Sequence, residues 1–301
     1  MKIVIAGGSG FVGNTLTEEL IRQQHEVLIL TRHPHSSLKT QGAQYVQWLN
    51  EGDQPEKHLQ DIDVFINLAG ESLSSGRWTA KRKKSLLNSR LTSTKELIRI
   101  ISSSEKKPQL VLNASAIGYY GTSRTETFTE RSIKHPSDFL SAVTDEWEKT
   151  AQEFENTGLR TIYMRFGVIL GQNGGALPRM VLPYRLFAGG TIGSGKQILS
   201  WIHLHDVIRA ISFCISNENM KGAVNFTAPQ PMAMRDFGKA LGRTLKRPHW
   251  LPVPSFALQL LLGETSILVL EGQRVLPEKL SENGFEFTYP ELDTALRDIF
   301  K

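Results

Sequence analysis

The opening of the chain constrains its fold more than any other stretch. Met1-Lys2-Ile3-Val4-Ile5-Ala6 reads as a short buried strand, and Gly7-Gly8-Ser9-Gly10-Phe11-Val12-Gly13 follows without a break. An amphipathic helix is expected from about 11 to 24. A strand that runs through a glycine turn into a helix is the setting of a dinucleotide-binding fingerprint. Gly7 suits the tight turn, Gly10 lets backbone N–H groups approach a pyrophosphate, and Gly13 lets the helix lie close on the strand. Ser9, Phe11 and Val12 complete the loop, and the helix N-terminus would face the phosphates with its partial positive charge. The spacing is G-x-x-G-x-x-G rather than G-x-G-x-x-G, so the strand and helix on either side carry the reading more than the glycines alone.

The second strand, Glu26 to Thr31, ends about twenty residues past the glycines, where an NAD-binding chain sets Asp or Glu against the ribose 2′-hydroxyl. Thr31-Arg32-His33 stand there instead. A carboxylate would repel a 2′-phosphate, whereas a guanidinium holds one through paired, charge-assisted hydrogen bonds. The expected cofactor is therefore NADP(H) rather than NAD(H).

Strands and helices alternate. Strands are expected near 2–6, 26–31, 44–48, 63–68, 109–115 and 159–166, and helices near 11–24, 78–101, 137–156 and 205–217. Runs such as Val64-Phe65-Ile66-Asn67-Leu68 and Leu110-Val111-Leu112 are apolar almost throughout, as strands buried on both faces are. Such strands alternating with helices predict an α/β fold, a Rossmann-type doubly wound parallel sheet. Ligands of these sheets bind beyond the carboxyl ends of the strands. That rule directs attention to Leu68-Ala69-Gly70, to Ser115-Ala116 and to Phe166-Gly167, besides the first glycines and Thr31-Arg32. The expected organisation is a nucleotide-binding domain over 1–230, with substrate-covering segments from about 170, and a small C-terminal α/β lobe over 249–297.

Composition narrows the function classes. With 301 residues, 40% hydrophobic and 22% charged, the chain has material for one large domain or one large and one small. The net charge of +5 comes from scattered basic residues, which speaks against a nucleic-acid interface. The dense run Lys81-Arg82-Lys83-Lys84 opens an expected helix and reads as a solvated face. Cys214 is the single cysteine, which excludes an internal disulfide and suits a reducing cytoplasm. The N-terminus enters the first strand at once, leaving no room for a signal peptide. The most apolar stretch, Phe256 to Leu270, is broken by Gly263-Glu264 and is too short to span a bilayer. The expected partner is a small-molecule substrate, with no membrane and no nucleic acid.

Two other patterns are decoys. Gly190-Thr191-Ile192-Gly193-Ser194-Gly195-Lys196 is close to a phosphate-binding Walker loop, but Gln197 replaces the Ser or Thr that would hold Mg²⁺, and a strand-like stretch follows where a helix should open. His203 and His205 have no third ligand at a recognisable spacing, so they read as structural and no metal is expected.

Four segments together resemble the short-chain dehydrogenase/reductase superfamily, in its extended, epimerase-like branch: the first glycine loop, Asn67-Leu68-Ala69-Gly70, Asn113-Ala114-Ser115-Ala116-Ile117-Gly118-Tyr119-Tyr120-Gly121, and Gly193 to Asp206. Glu71, Gly76-Arg77-Trp78, Asn88-Ser89-Arg90, Trp147-Glu148, Gly272-Gln273-Arg274-Val275 and Pro277 narrow the likeness to the atypical epimerase-family proteins of the YfcH and YfhF type. The resemblance implies NADP contacts from Thr31, Arg32, Leu68, Ala69 and Arg90.

It also implies a catalytic Ser with a Tyr and a Lys, the Tyr passing the proton as hydride moves. Ser115 follows the fifth strand as required, and Lys149 lies in the next helix. The Tyr belongs four residues before Lys149, one turn away on the same face, but Asp145 stands there. Tyr119 and Tyr120 are the nearest phenols and the expected substitutes. Nucleotide-sugar epimerases also place an Arg two residues after the glutamine of their Gly-x-Gly-x-Gln turn; here that residue is Leu199, with Arg179, Arg185, Lys196 and Arg235 as the cations that could stand in for it. The expected activity is that of an epimerase-like oxidoreductase on a small carbonyl or alcohol, or, for want of the Tyr, that of a non-catalytic NADP(H)-binding sensor or regulator.

Overall fold

The structure, a computed structural model, describes residues 1–34, 40–133 and 138–301. Seven parallel strands form the central sheet: β1 (Lys2–Ala6), β2 (Glu26–Thr31), β3 (Gln44–Gln47), β4 (Val64–Asn67), β5 (Leu110–Ala116), β6 (Arg160–Phe166) and β7 (Gly222–Phe226). Their spatial order is β3-β2-β1-β4-β5-β6-β7, a doubly wound arrangement that reverses direction between β1 and β4. Val4 of β1 stands beside Leu28 of β2 on one side and Phe65 of β4 on the other.

Alternate side chains leave opposite faces of a strand, and both faces here are apolar. Ile3, Ile5, Val27, Ile29, Val64 and Ile66 pack under α1 (Phe11–Arg22) and α5 (Leu204–Ser216). Val4, Ala6, Leu28, Leu30 and Phe65 pack under α2 (Ala80–Ser103) on the other face. Helix α3 (Phe139–Ala151) follows β5, and β6 follows α3. Residue 137, where that helix was expected to begin, lies outside the described residues.

Beyond β6 come α4 (Leu177–Arg185), then α5, α6 (Met234–Leu245), α7 (Ser255–Leu262) and α8 (Leu292–Ile299). The segment expected as a C-terminal lobe shares its core with the rest of the chain. Leu292 and Leu296 of α8 pack with Tyr184 and Phe237, while Leu280 and Phe285 join the cluster beneath α1 and α5. Arg274–Val275 pairs with Thr127–Phe128 in a short parallel ladder. Among the described residues, no helix is long and apolar enough to cross a membrane.

Candidate functional site

The glycine loop is fixed by contacts that leave no space for side chains. Gly7 has φ +81°, a left-handed conformation suited to glycine, and a Cβ there would come within 2.8 Å of the Leu68 backbone. A Cβ on Gly13 would lie 2.3 Å from the Gly7 carbonyl oxygen, so α1 can approach the loop this closely only because Gly13 has none. Gly10 is the N-cap of α1, makes no side-chain cap, and is followed by no acidic residue in the first turn. The first N–H groups of the helix are therefore free of side-chain acceptors and suited to an anion. The Phe11 ring lies against the turn Gly171-Gln172-Asn173-Gly174-Gly175, where a Cβ on Gly174 would fall 2.4 Å from the ring.

A cleft of about 600 Å³ opens beyond the carboxyl ends of the strands, where the doubly wound topology puts its ligand site. It brings together Gly7, Gly10, Phe11, Val12, Gly13, Leu68, Ala69, Gly70, Arg90, Ser115, Phe166 and Gly167. Ser9 is exposed on the glycine loop. Thr31 and Arg32 lie outside the cleft lining, at the end of β2. Thr31 Oγ1 accepts from the His33 N–H at 3.2 Å, and the exposed Arg32 guanidinium has no ion pair among the described residues.

Arg90 is the buried cation of the cleft. It donates to the carbonyls of Leu86 at 2.8 Å and Glu71 at 3.1 Å and stacks 5.2 Å from the Trp147 ring. Burial pulls its pKa down to about 10, against the opposing pull of the Glu71 carboxylate, so it remains a cation at neutral pH. That carboxylate is itself engaged by Arg82 and Ser85. The turn beside Arg90 is tied down by Asn67, whose amide donates to Thr94 Oγ1 at 3.1 Å and Asn113 Oδ1 at 2.7 Å.

At the other end of the cleft the structure sets Ser115 in the lining and Lys149 outside it. Ser115 is buried at the end of β5, and its hydroxyl donates to Glu148 Oε1 at 2.5 Å. Glu148 in turn receives Arg165 through two hydrogen bonds, Nε to Oε1 at 2.8 Å and Nη2 to Oε2 at 2.7 Å. Arg165 donates from Nη1 to the Tyr120 hydroxyl at 2.9 Å, and that hydroxyl donates to Asn225 Oδ1 at 2.8 Å. Lys149 stands outside this array: its side chain is 55% exposed and pairs with Asp145 at 2.9 Å and Glu146 at 3.3 Å. Successive helical residues point about 100° apart, and the face of α3 that lines the cleft carries Leu140, Val143, Thr144 and Trp147, with Glu148 beneath. The four-residue pair on this side of α3 is Thr144, in the cleft lining, and Glu148, bonded to Ser115, one position earlier than Asp145 and Lys149.

The two tyrosines are also displaced from the cleft lining. Tyr120 is fully buried, and burial pushes its phenol up to about 12. Tyr119 is half-buried, with the Arg165 guanidinium 3.5 Å from its ring centroid. Among Leu199, Arg179, Arg185, Lys196 and Arg235, only Leu199 lines the cleft.

Three contributors have no role assigned from the sequence, although Glu148 and Gly272-Gln273 stand among the residues of the family likeness. Arg165 had a signal, since a guanidinium in the apolar run Thr161-Ile162-Tyr163-Met164-Arg165-Phe166 needs a buried partner. Glu148 is that partner. The third is the far wall, Ile267, Leu268 and Glu271-Gly272-Gln273, which comes from the C-terminal segment and is anchored by Gln273 donating to the Ile117 carbonyl at 3.0 Å. The two histidines do local work: His203 Nδ1 accepts the His205 N–H at 3.1 Å and caps α5. The Walker-like segment runs into a strand, Ile198–Leu199.

Residues 3–226 match the profile of the NAD dependent epimerase/dehydratase family, and residues 253–299 match a domain of unknown function, DUF1731. The chain is 49% identical to the epimerase family protein YfhF of Bacillus subtilis over 299 residues, 99% of this chain and 98% of that one. It is also similar to the crystal structure of the human epimerase family protein SDR39U1 (isoform 2) with NADPH, with 31% identity, 99% of both chains covered and a TM-score of 0.88. The UDP-glucuronic acid 4-epimerase of Bacillus cereus shares the fold, with a TM-score of 0.81 at 16% identity over 100% of this chain and 98% of that one.

Proposed function

The chain belongs to the NAD dependent epimerase/dehydratase family, and from that premise we propose that it is an NADP(H)-dependent oxidoreductase acting on a small carbonyl or alcohol. Binding of the cofactor rests on the glycine cradle, the open first turn of α1 and the buried Arg90 cation. Preference for the 2′-phosphate form rests on Arg32 at the end of β2, which has no ion pair among the described residues, and is supported by the NADPH in the structure of the human relative. The bound cofactor supplies the hydride donor or acceptor.

The observation that carries a catalytic reading is the bond from Ser115 to Glu148. With its proton held on the carboxylate at 2.5 Å, Ser115 Oγ keeps its remaining lone pairs for the cleft. In alcohol oxidation it is suited to accept a hydrogen bond from the substrate hydroxyl and to pass a proton to Glu148, and in carbonyl reduction the same proton returns from Glu148 through Ser115 to the substrate oxygen. Arg165 holds Glu148 in place and keeps it paired. Thr144 has no free proton to offer along this path, because its hydroxyl donates to the carbonyls of Leu140 and Ser141. Purified protein screened with small aldehydes and ketones should oxidise NADPH, Ser115→Ala should remove most of that activity, and Asp145→Asn should retain it.

A second reading, a non-catalytic NADP(H)-binding regulator, is favoured by the position of Lys149 and of both tyrosines outside the cleft lining. Tight NADPH binding without turnover in that screen would select it.

A further inference from the structure

Ten large hydrophobic side chains are exposed among the described residues, and eight of them fall in two segments that touch. Leu182, Leu186 and Phe187 lie at the end of α4, and the other five lie between Trp250 and Leu261. The Trp250 indole N–H donates to the Phe187 carbonyl at 2.9 Å, and the backbone N–H groups of Trp250 and Leu251 both donate to Gly189. The Arg77 guanidinium closes the far side by donating to the carbonyls of Leu260 and Leu261 at 2.7 to 3.0 Å. Scattered exposed apolar residues need no explanation, but a contiguous patch marks an interaction surface.

The two stretches that carry the patch hold cations and no carboxylate, with Asp236 and Glu264 just beyond their ends. Residues 176–192 hold Arg179 and Arg185, residues 237–262 hold Lys239, Arg243, Lys246 and Arg247, and neither segment contains an Asp or Glu. Among the described residues only Arg243 of these six has a carboxylate partner, Asp293. Arg247 lies 4.5 Å from the Phe187 ring centroid, which sets cation and apolar surface side by side.

Helix α7 identifies the occupant. Its sequence, Ser255-Phe256-Ala257-Leu258-Gln259-Leu260-Leu261-Leu262, is apolar at every position but two, and none of its residues is buried. A helix that is apolar on all sides is ordinarily covered on all sides. A protein groove covers one face, whereas the headgroup and acyl-chain boundary of a bilayer can surround the outward part of such a helix. A two-fold contact with a second copy would bring one set of unpaired cations against the other. We propose that α7, Trp250 and the end of α4 form a docking surface for anionic lipid bilayers, with the apolar side chains entering the interface and the six cations facing the headgroups. The sequence excludes a spanning helix, and this contact needs none.

Trp250 makes the proposal measurable, because it is 67% exposed and the other four tryptophans are buried. The full-length protein is mixed with phosphatidylcholine vesicles, with or without about a third phosphatidylglycerol. Only the anionic vesicles should carry the protein in flotation and shift Trp250 emission to the blue, and added salt should weaken both effects. Phe256→Ser with Leu260→Ser should weaken binding at least about tenfold, and Arg185→Gln with Arg247→Gln about fivefold per cation. Both variants should keep the far-UV circular dichroism and melting temperature of the parent. Absence of flotation and blue shift with anionic vesicles overturns the proposal. So does vesicle binding that neither double variant weakens. Concentration-dependent dimerisation abolished by Phe256→Ser with Leu260→Ser, without vesicle binding, gives the surface to a second copy, and saturable binding to an acidic peptide without vesicle binding gives it to a protein.

Discussion

At the glycine-loop end of the cleft, the residues that shape the site are neighbours in the chain: Gly7, Gly10 and Gly13 act within one turn, and the constraint on each is backbone against backbone. At the Ser115 end, the residues that meet come from β5, α3, β6 and β7, and they meet through side chains. The first kind of site is written in consecutive letters. The second depends on which face of a helix packs inward, and an error of one residue rotates the answer by about 100°. The two ends also differ in how charge is handled. The loop end offers N–H groups and the Arg90 cation to an incoming anion, whereas the Ser115 end neutralises Glu148 internally with Arg165 before any ligand arrives.

The largest expected effect separates two adjacent glutamate and lysine positions. Glu148→Ala leaves Arg165 buried without its partner and should cost about 3–5 kcal/mol of stability. Lys149→Ala, on the exposed side of the same helix, should stay within about 0.5 kcal/mol. Urea unfolding of both variants decides whether α3 turns Glu148 or Lys149 inward, and equal losses would break the comparison.

Most of the architecture was open to reading because periodicity and apolar runs are local properties. The strands β1, β2, β4, β5 and β6 and the helices α1, α2, α3 and α5 fall within a few residues of their expected places. The cleft-lining residues that follow strands were legible for the same reason, since topology alone fixes where strand ends point. Lys149, the one lysine of α3, is picked out by its four-residue spacing from Asp145, and a spacing does not say which face of the helix packs inward; the structure sets Lys149 on the exposed face. The wall formed by Ile267 to Gln273 could not be placed from the sequence, although Gly272-Gln273 belongs to the family likeness, because nothing in that stretch signals a partner 156 residues away in the chain, the separation of Gln273 and Ile117.

A smaller effect sharpens the contrast within the glycine loop itself. Gly13→Ala puts a methyl group 2.3 Å from the Gly7 carbonyl and should cost about 1–3 kcal/mol in thermal unfolding, as overpacking does. At Gly10 a Cβ meets only the Gly7 oxygen, at 3.2 Å, so Gly10→Val should fold normally yet lose cofactor binding. Retained binding in Gly10→Val would mean that the open turn is not where the pyrophosphate sits.

The smallest effect concerns His203, remote from both ends. Burial holds its pKa below the ordinary 6.5, against the opposing carboxylates of Asp298 and Asp206. The unfolded chain therefore takes up this proton first as pH falls. The contribution of His203 is complete above the unfolded value and is lost as pH drops from there through the lowered folded value. His203→Asn keeps a side-chain acceptor at the N-cap of α5 and removes the titration. Unfolding measured on both sides of the ordinary histidine pKa should show a shallower loss in acid for the variant, and an unchanged slope would assign the pH dependence elsewhere.

The most direct test of the central claim, that this cleft is built for NADP(H), is calorimetric titration of the wild-type protein and Arg32→Glu with NADPH and NADH. The wild type should bind NADPH more tightly than NADH, and Arg32→Glu should lose about 1–3 kcal/mol of NADPH affinity, the worth of a charge-assisted phosphate contact, while NADH binding persists. Equal wild-type affinities for the two cofactors, or no binding of either, would contradict it.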